Sequence, residues 1–250
     1  MEEMKYIDAH CHIGNHLEFS LTPEELLDFM ERFSIDHSII CPMGSEIILD
    51  VRGANERIGK LVNLYPDKFT GFGCTNPWYA SAVDEIEYAI SVLKLQGIYL
   101  EPSLQGFPVN HELVYPIMEK IAQLNVPLYV HTGTPPYALP LQVADLAERF
   151  PEINIIMGSI HSDFWFDVLP AAEKASNLYV DASCVFVETA LAEIIDRCGI
   201  ERVLFATDFP YYNPYMVFSR FSLLKLSKEG KESLFHANIE RLVRIGGGMA

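Results

Sequence analysis

The stretch KYIDAHCHIGNH, residues 5–16, decides between two folds for this chain of 250 residues. It begins as a short run of strand formers and then places His10 and His12 on either side of Cys11. In an open, doubly wound α/β sheet a glycine-rich phosphate loop follows the first strand, and this chain has the histidine pair there instead. Because side chains alternate along a strand, we expect both imidazoles on one face and Cys11 on the other. Two neutral imidazoles side by side form half of a metal site.

Seven further apolar runs follow, each separated from the next by a longer amphipathic pattern with helical period. The runs are HSIICP (37–42), FTGFGCT (69–75), GIYLEP (97–102), VPLYVH (126–131), INIIMGS (153–159), NLYVDAS (177–183) and RVLFATD (202–208). One helical pattern, TPEELLDFMERF (22–33), begins with Thr22 and Glu25 at the spacing of a capping box. Eight strand and helix units in a chain of this length are typical of a barrel. We therefore predict an α/β fold, a (β/α)8 TIM barrel, in one domain over residues 1–250.

The charge of the chain limits its partners. Lysine and arginine number 18 against 34 aspartates and glutamates, a net charge of −16 that repels phosphate backbones and anionic membrane surfaces. We expect no nucleic-acid partner, and the absence of a signal peptide or a long apolar run predicts a cytoplasmic protein with no membrane segment. The cysteines lack any C-x-x-C spacing, which predicts reduced thiols rather than disulfides or a zinc ribbon. They are Cys11, Cys41, Cys74, Cys184 and Cys198.

Polar side chains end many of the predicted strands. In a barrel, the loops that follow the strands converge on one mouth, where the chemistry takes place. Any one of these side chains alone is explained by a hydrogen bond within a turn, but several imidazoles and a carboxylate at the same rim indicate a functional site. Besides His10 and His12, this rim is predicted to carry Glu101, His131, His161 and Asp208.

Three of these segments resemble the amidohydrolase superfamily, and specifically its amidohydrolase-2 branch. They are IDAHCHIG (7–14), VPLYVHTG (126–133) and RVLFATDFP (202–210). The closing NIERLVRI (238–245) is similar to the Asn-Ala-x-Arg-Leu pattern of that branch, with Ile239 in place of alanine. The resemblance implies one metal ion, held by His10, His12, His131 and Asp208. Nitrogen and oxygen ligands suit zinc first, and they also accept manganese or iron.

The chain departs from this family at two strands. Strand four has Tyr99 where relatives often carry a lysine that bridges two metals, but Glu101 lies on the same face, so a two-metal site with Glu101 and His161 stays open. On strand six the usual Gly-His-x-Gly reads GSIH (158–161), with Ser159 in the place of the histidine. Either His161 reaches the pocket, or the electrophilic histidine of the family is missing.

The implied site suits more than one reaction. Zinc lowers the pKa of a bound water to about 7, Asp208 is then expected to act as the catalytic base, and His161 to stabilise the oxyanion. We therefore expect a hydrolase of a small amide, ester or lactone. Two alternatives remain: a nonoxidative decarboxylase of an aromatic or muconate-type acid, and a barrel that binds a ligand without catalysis.

A small-molecule substrate needs residues that hold it. Arg52 follows strand two and is the expected anchor for a carboxylate. Other expected substrate-binding residues near the mouth are Trp78, Glu101, Trp165 and Tyr211. The apolar face of MVFSRFSLLKL (216–226) suits either the barrel or a second copy of the chain, so a homo-oligomer stays open.

Overall fold

The computed structural model describes residues 4–16, 20–160 and 164–246. All eight predicted apolar runs contribute strands, and the longest strand contains the histidine pair. The strands are β1 (Ile7–Asn15), β2 (Ser20–Leu21), β3 (His37–Pro42), β4 (Phe69–Gly71), β5 (Gly73–Cys74), β6 (Ile98–Leu100), β7 (Leu128–His131), β8 (Ile155–Gly158), β9 (Leu178–Asp181) and β10 (Val203–Leu204). Because β4 and β5 are one strand interrupted at Phe72, and β2 is a short antiparallel addition to β1, eight parallel strands remain.

These strands close into a barrel. The order β1, β3, β4 continues through β5, β6, β7, β8, β9 and β10, and the Phe72 amide donates to the Ile40 carbonyl at 3.0 Å across the interruption. At the seam the Ala9 amide donates to the Phe205 carbonyl at 3.0 Å, and the Asp208 amide donates to the His10 carbonyl at 3.0 Å. The predicted (β/α)8 barrel is confirmed, and its seam lies at the histidine pair.

Helices connect the strands around the outside. They are α1 (Pro23–Arg32), α2 (Glu46–Leu49), α3 (Val51–Leu64), α4 (Ala82–Glu87), α5 (Pro102–Gln105), α6 (Tyr115–Leu124), α7 (Pro140–Arg149), α8 (Trp165–Lys174), α9 (Glu188–Cys198), α10 (Pro214–Leu223), α11 (Lys228–Glu232) and α12 (Asn238–Glu240). The predicted capping box begins α1: the Glu25 amide donates to Thr22 Oγ1, and the Thr22 amide donates to Glu25 Oε2 at 2.8 Å. Within the described residues, no helix is both long and apolar enough to cross a membrane.

The core has two layers. One lies between the strands and the helices, and the other fills the barrel interior with side chains such as Ile39, Phe72 and Ile156. Tyr99 and Tyr129 belong to the interior layer and are fully buried. The ring of Tyr129 passes directly over β8, where a Cβ atom on Gly158 would lie 1.7 Å from the tyrosine Oη. A glycine at position 158 is therefore what gives Tyr129 its place in the barrel.

Candidate metal centre

Three predicted site residues meet at the seam of the barrel. His10 and His12 lie on β1 with their Nε2 atoms 2.9 Å apart, so the two imidazoles share a face as expected. Asp208 follows β10, and its Oδ1 lies 3.0 Å from His12 Nε2 and 3.6 Å from His10 Nε2. All three side chains are buried. Among the described His, Cys, Asp and Glu side chains, these three form the one group compact enough to hold a metal ion.

The spacing of these atoms fits a shared metal ion. Two donors that each lie about 2.1 Å from one ion are about 3.0 Å apart at a right angle and about 3.4 Å apart at the tetrahedral angle. The three observed separations, 2.9, 3.0 and 3.6 Å, lie within about 0.2 Å of these two values. Among the described residues, the buried Nδ1 atoms of His12 and His131 have no hydrogen-bond partner. The second nitrogen of a metal-binding histidine usually has one. The donor set and its spacing fit one divalent cation.

His131 ends β7 and lies beside this group without joining it. It is close enough to act electrostatically. Burial chiefly, and then the charges of His12 and His131, hold the pKa of His10 well below its usual value. His10 is therefore a neutral imidazole, which is the form that binds metals.

Two buried side chains, Tyr129 and Cys41, contact the His10 ring. The ring of Tyr129 stacks on the His10 ring with centroids 3.8 Å apart, and Cys41 Sγ lies 3.4 Å from His10 Nδ1. Tyr129 Oη donates to Asp181 Oδ2 at 2.7 Å, and burial raises the pKa of Asp181 to about 6. Tyr129 was not among the predicted site residues, although it precedes His131 by two residues and so faces the same side of its strand.

The Asp208 carboxylate divides its two oxygens between different partners. Oδ1 faces the two imidazoles, whereas Oδ2 accepts a hydrogen bond from Ser159 Oγ at 2.8 Å. Burial by itself would raise the pKa of Asp208, but the hydrogen bond from His12 and the electrostatic effect of His12 lower the pKa well below its usual range. Asp208 is therefore ionised and available as a ligand.

Tyr99 and Tyr211 also lie next to the group, and Tyr99 connects it to Glu101. Glu101 Oε2 accepts from Tyr99 Oη at 2.8 Å, and the Tyr99 ring lies 5.5 Å from the rings of His10 and His12. The Tyr211 ring meets the His12 ring edge-on, with centroids 4.9 Å apart. Aromatic rings thus surround the imidazoles on several sides.

The two tryptophans make their contacts elsewhere. Trp78 donates from Nε1 to the Gln105 carbonyl at 3.0 Å and leaves more than half of its surface exposed. Trp165 stacks on the exposed Phe166 with centroids 3.8 Å apart. Neither side chain contacts the three ligands within the part of the chain that the structure describes.

Arg52, the expected anchor for a carboxylate, is paired with a carboxylate of the chain itself. This residue lies at the start of α3, where its Nε and Nη2 atoms donate to both carboxylate oxygens of Glu85 at 2.8–3.1 Å. Its guanidinium also stacks 3.6 Å over the ring of Tyr88. Glu85 therefore pairs with this guanidinium at the edge of two outer helices, while the Arg52 side chain stays partly exposed; its role in binding a substrate carboxylate stays a prediction.

Two further expectations concern the number of metals and the strand-six histidine. His161 lies outside the described residues. Glu101 is not part of the group. Within the described ranges, the group of His10, His12 and Asp208 has the size to hold one ion.

Comparison with known proteins places these observations in a family. The amidohydrolase family model (Amidohydro_2) matches residues 7–245. The gamma-resorcylate decarboxylase of Polaromonas sp. (strain JS666) is 22% identical, in an alignment that covers 78% of this chain and 76% of that protein. The crystal structure of the 5-carboxyvanillate decarboxylase LigW from Sphingomonas paucimobilis has a TM-score of 0.80 at 16% identity, covering 97% of this chain and 100% of that chain. The dihydroxybenzoic acid decarboxylase from Polaromonas sp. JS666, with bound manganese and the inhibitor 2-nitroresorcinol, has a TM-score of 0.78 at 16% identity, covering 96% and 97% of the two chains.

Proposed function

The chain belongs to the amidohydrolase family and is an enzyme, and from this premise we propose that it is a metal-dependent nonoxidative decarboxylase of a small aromatic acid. The observation that carries the proposal is the match to gamma-resorcylate decarboxylases over 78% of the chain. The ligand geometry by itself suits hydrolysis equally well. Hydrolysis, the first expectation from the sequence, has support only at the level of the superfamily.

We propose that His10, His12, His131 and Asp208 hold one divalent ion. A related decarboxylase structure carries manganese, so we favour Mn²⁺ over the zinc expected from the sequence. When bound, the ion supplies a positive charge that binds and polarises the oxygen atoms of the substrate. The neutral state of His10 and the ionised state of Asp208 both favour its binding.

The aromatic side chains around the imidazoles fit a planar substrate. Tyr99 and Tyr211 present their rings to His12, and a flat substrate ring can pack against such surfaces. Glu101 Oε2 lies beside Tyr99 and offers a hydrogen-bond acceptor for a hydroxyl group of the substrate. With Arg52 bound to Glu85, the substrate carboxylate depends on the metal for its anchor.

Asp208 is the residue that would move the proton. In the reaction the bond between the ring carbon and the carboxylate carbon breaks, its electron pair stays on the ring carbon, and carbon dioxide leaves. The ring carbon then takes one proton, which Asp208 can pass to it; a hydroxyl group of the substrate supplies this proton and regains one from solvent once the product has left. Because the surroundings of Asp208 favour its ionised form, it can accept that proton before it passes it on.

The release of carbon dioxide tests this proposal. Protein loaded with Mn²⁺ is supplied with gamma-resorcylate and 5-carboxyvanillate, and with ester and lactone substrates for comparison. We expect carbon dioxide from an aromatic acid, and a loss of at least 100-fold in kcat for Asp208→Asn. The matched control is Asp196→Asn, since Asp196 is an exposed aspartate of α9. Ester or lactone hydrolysis without release of carbon dioxide would make the protein a hydrolase instead.

A further inference from the structure

We propose that Ser159 is a positioning residue, which holds Asp208 in the orientation that presents Oδ1 to a metal ion. The inference rests on the metal site in the proposed function, but not on the identity of the substrate. Ser159 directly follows β8, and Asp208 follows β10. The serine hydroxyl therefore reaches the aspartate across the mouth of the barrel.

The hydrogen bond between these residues separates the roles of the two carboxylate oxygens. Ser159 Oγ donates to Oδ2 at 2.8 Å, and Oδ1 is left 3.0 Å from His12 Nε2. Both side chains are buried, so water does not compete for Oδ2. A rotation of the carboxylate that moved Oδ1 away from the imidazoles would break this bond, and Ser159 therefore favours one orientation.

The backbone of both residues is unusual. Ser159 has φ of +51° and Asp208 has φ of +53°, in the left-handed region that residues other than glycine rarely adopt. Such a conformation persists only where its surroundings hold it, and it is concentrated at functional sites. The Asp208 amide is held by the His10 carbonyl. These turns direct the two side chains toward each other at the ends of their strands.

A second donor to the same oxygen is weaker. Cys184 Sγ lies 3.5 Å from Asp208 Oδ2, and a thiol is a weak hydrogen-bond donor. The hydroxyl of Ser159 thus provides most of the restraint on Oδ2. From the sequence, Ser159 only marks the loss of a histidine, whereas in the structure its hydroxyl contacts Asp208.

Metal affinity measured without substrate tests the proposal. Metal-free wild-type protein, Ser159→Ala and Ser159→Gly are titrated with Mn²⁺ by calorimetry. Loss of a group that orients a metal ligand typically weakens binding 10–100-fold, and we expect this loss in both variants. Glycine also relieves the left-handed backbone, so Ser159→Gly should have the higher Tm of the two. Ser38→Ala is the matched control, since Ser38 is a buried serine on β3 whose hydroxyl bonds to none of the three ligands.

A double-mutant cycle separates positioning from a general structural effect. In the Asp208→Asn background, Ser159→Ala should weaken Mn²⁺ binding less than twofold further, because the carboxylate that it orients is gone. The proposal is overturned by variants that bind within twofold of wild type, by an equal loss in both backgrounds, or by wild-type protein that binds no divalent ion. If Mn²⁺ affinity depends on Ser159 but the protein releases no carbon dioxide, the proposed decarboxylase function is wrong and the role of Ser159 stands.

Discussion

Replacing Gly158 with alanine tests whether the packing beneath the metal site determines its geometry. The new Cβ would lie 1.7 Å from Tyr129 Oη and 1.9 Å from the ring carbon that carries it. Ordinary contact needs about 3.4 Å or more, so the ring has to move by well over 1 Å. That movement breaks the 2.7 Å hydrogen bond to Asp181 and disturbs the stacking on His10.

The expected loss of stability has two parts. Overpacking of a core costs about 1–3 kcal/mol, and a buried acceptor that loses its donor costs about 1–3 kcal/mol more. A total of about 2–6 kcal/mol corresponds to a fall in Tm of roughly 5–20 °C for a chain of this size. Because His10 loses its support, the affinity for Mn²⁺ should also fall.

Differential scanning calorimetry and a Mn²⁺ titration measure both effects. Gly230→Ala is the matched control: Gly230 lies in α11, and a Cβ there would meet its nearest atoms at an ordinary 3.5 Å. This control should leave the Tm unchanged or raise it slightly. If Gly158→Ala melted within 2 °C of wild type with unchanged Mn²⁺ affinity, the reasoning about Tyr129 would be refuted.

Four further predictions concern other parts of the chain. Arg52→Ala should reduce stability by about 1 kcal/mol or less, because its pair with Glu85 is partly exposed; a tenfold loss of kcat would instead restore its role in substrate binding. Thr22→Ala removes the capping box of α1 and should cost about 1 kcal/mol, seen as a lower Tm with unchanged Mn²⁺ affinity. Burial chiefly lowers the pKa of His37, so the unfolded chain takes up its proton first, and stability should fall as the pH drops below about 6.5; His37→Gln should flatten that part of the denaturation profile. Mn²⁺ at 100 times its Kd should stabilise metal-free protein by about 2.7 kcal/mol, or roughly 5–10 °C in Tm, and a Tm that does not respond would contradict the metal site.

The sequence predicts the barrel well because its strands carry a strong local signal. Each strand is a short apolar run between helical patterns. The spacing of the apolar residues and the turn residues at each end suffice to find it. The interruption at Phe72 was not predicted, because a break within an apolar run has no local marker. The end of the last run, residues 205–208, pairs with β1 only through separate hydrogen bonds at the seam, and that pairing depends on the closed barrel.

The part of the candidate site that lies at the ends of the strands was predictable from the sequence. His10, His12 and Asp208 meet as their positions at strand ends suggest. The ion pair between Arg52 and Glu85 was not predictable, because the two residues are 33 positions apart and meet only when α3 and α4 have folded against the barrel. The contact of Ser159 was missed for a different reason, since it depends on a left-handed backbone that serine rarely adopts.

The seam of the barrel also sets the order in which a newly made chain can acquire its metal. His12 and Asp208 are 196 residues apart in sequence, so the ribosome releases the two histidines long before it adds the aspartate. Contacts between such distant residues form late, because a large loop has to close first. Of the proposed metal ligands, an unfinished chain therefore offers only the histidines, and we expect ions bound at that stage to be held weakly. Tight binding begins only when the last strand docks beside the first, so metal uptake can serve as a reporter of completed folding.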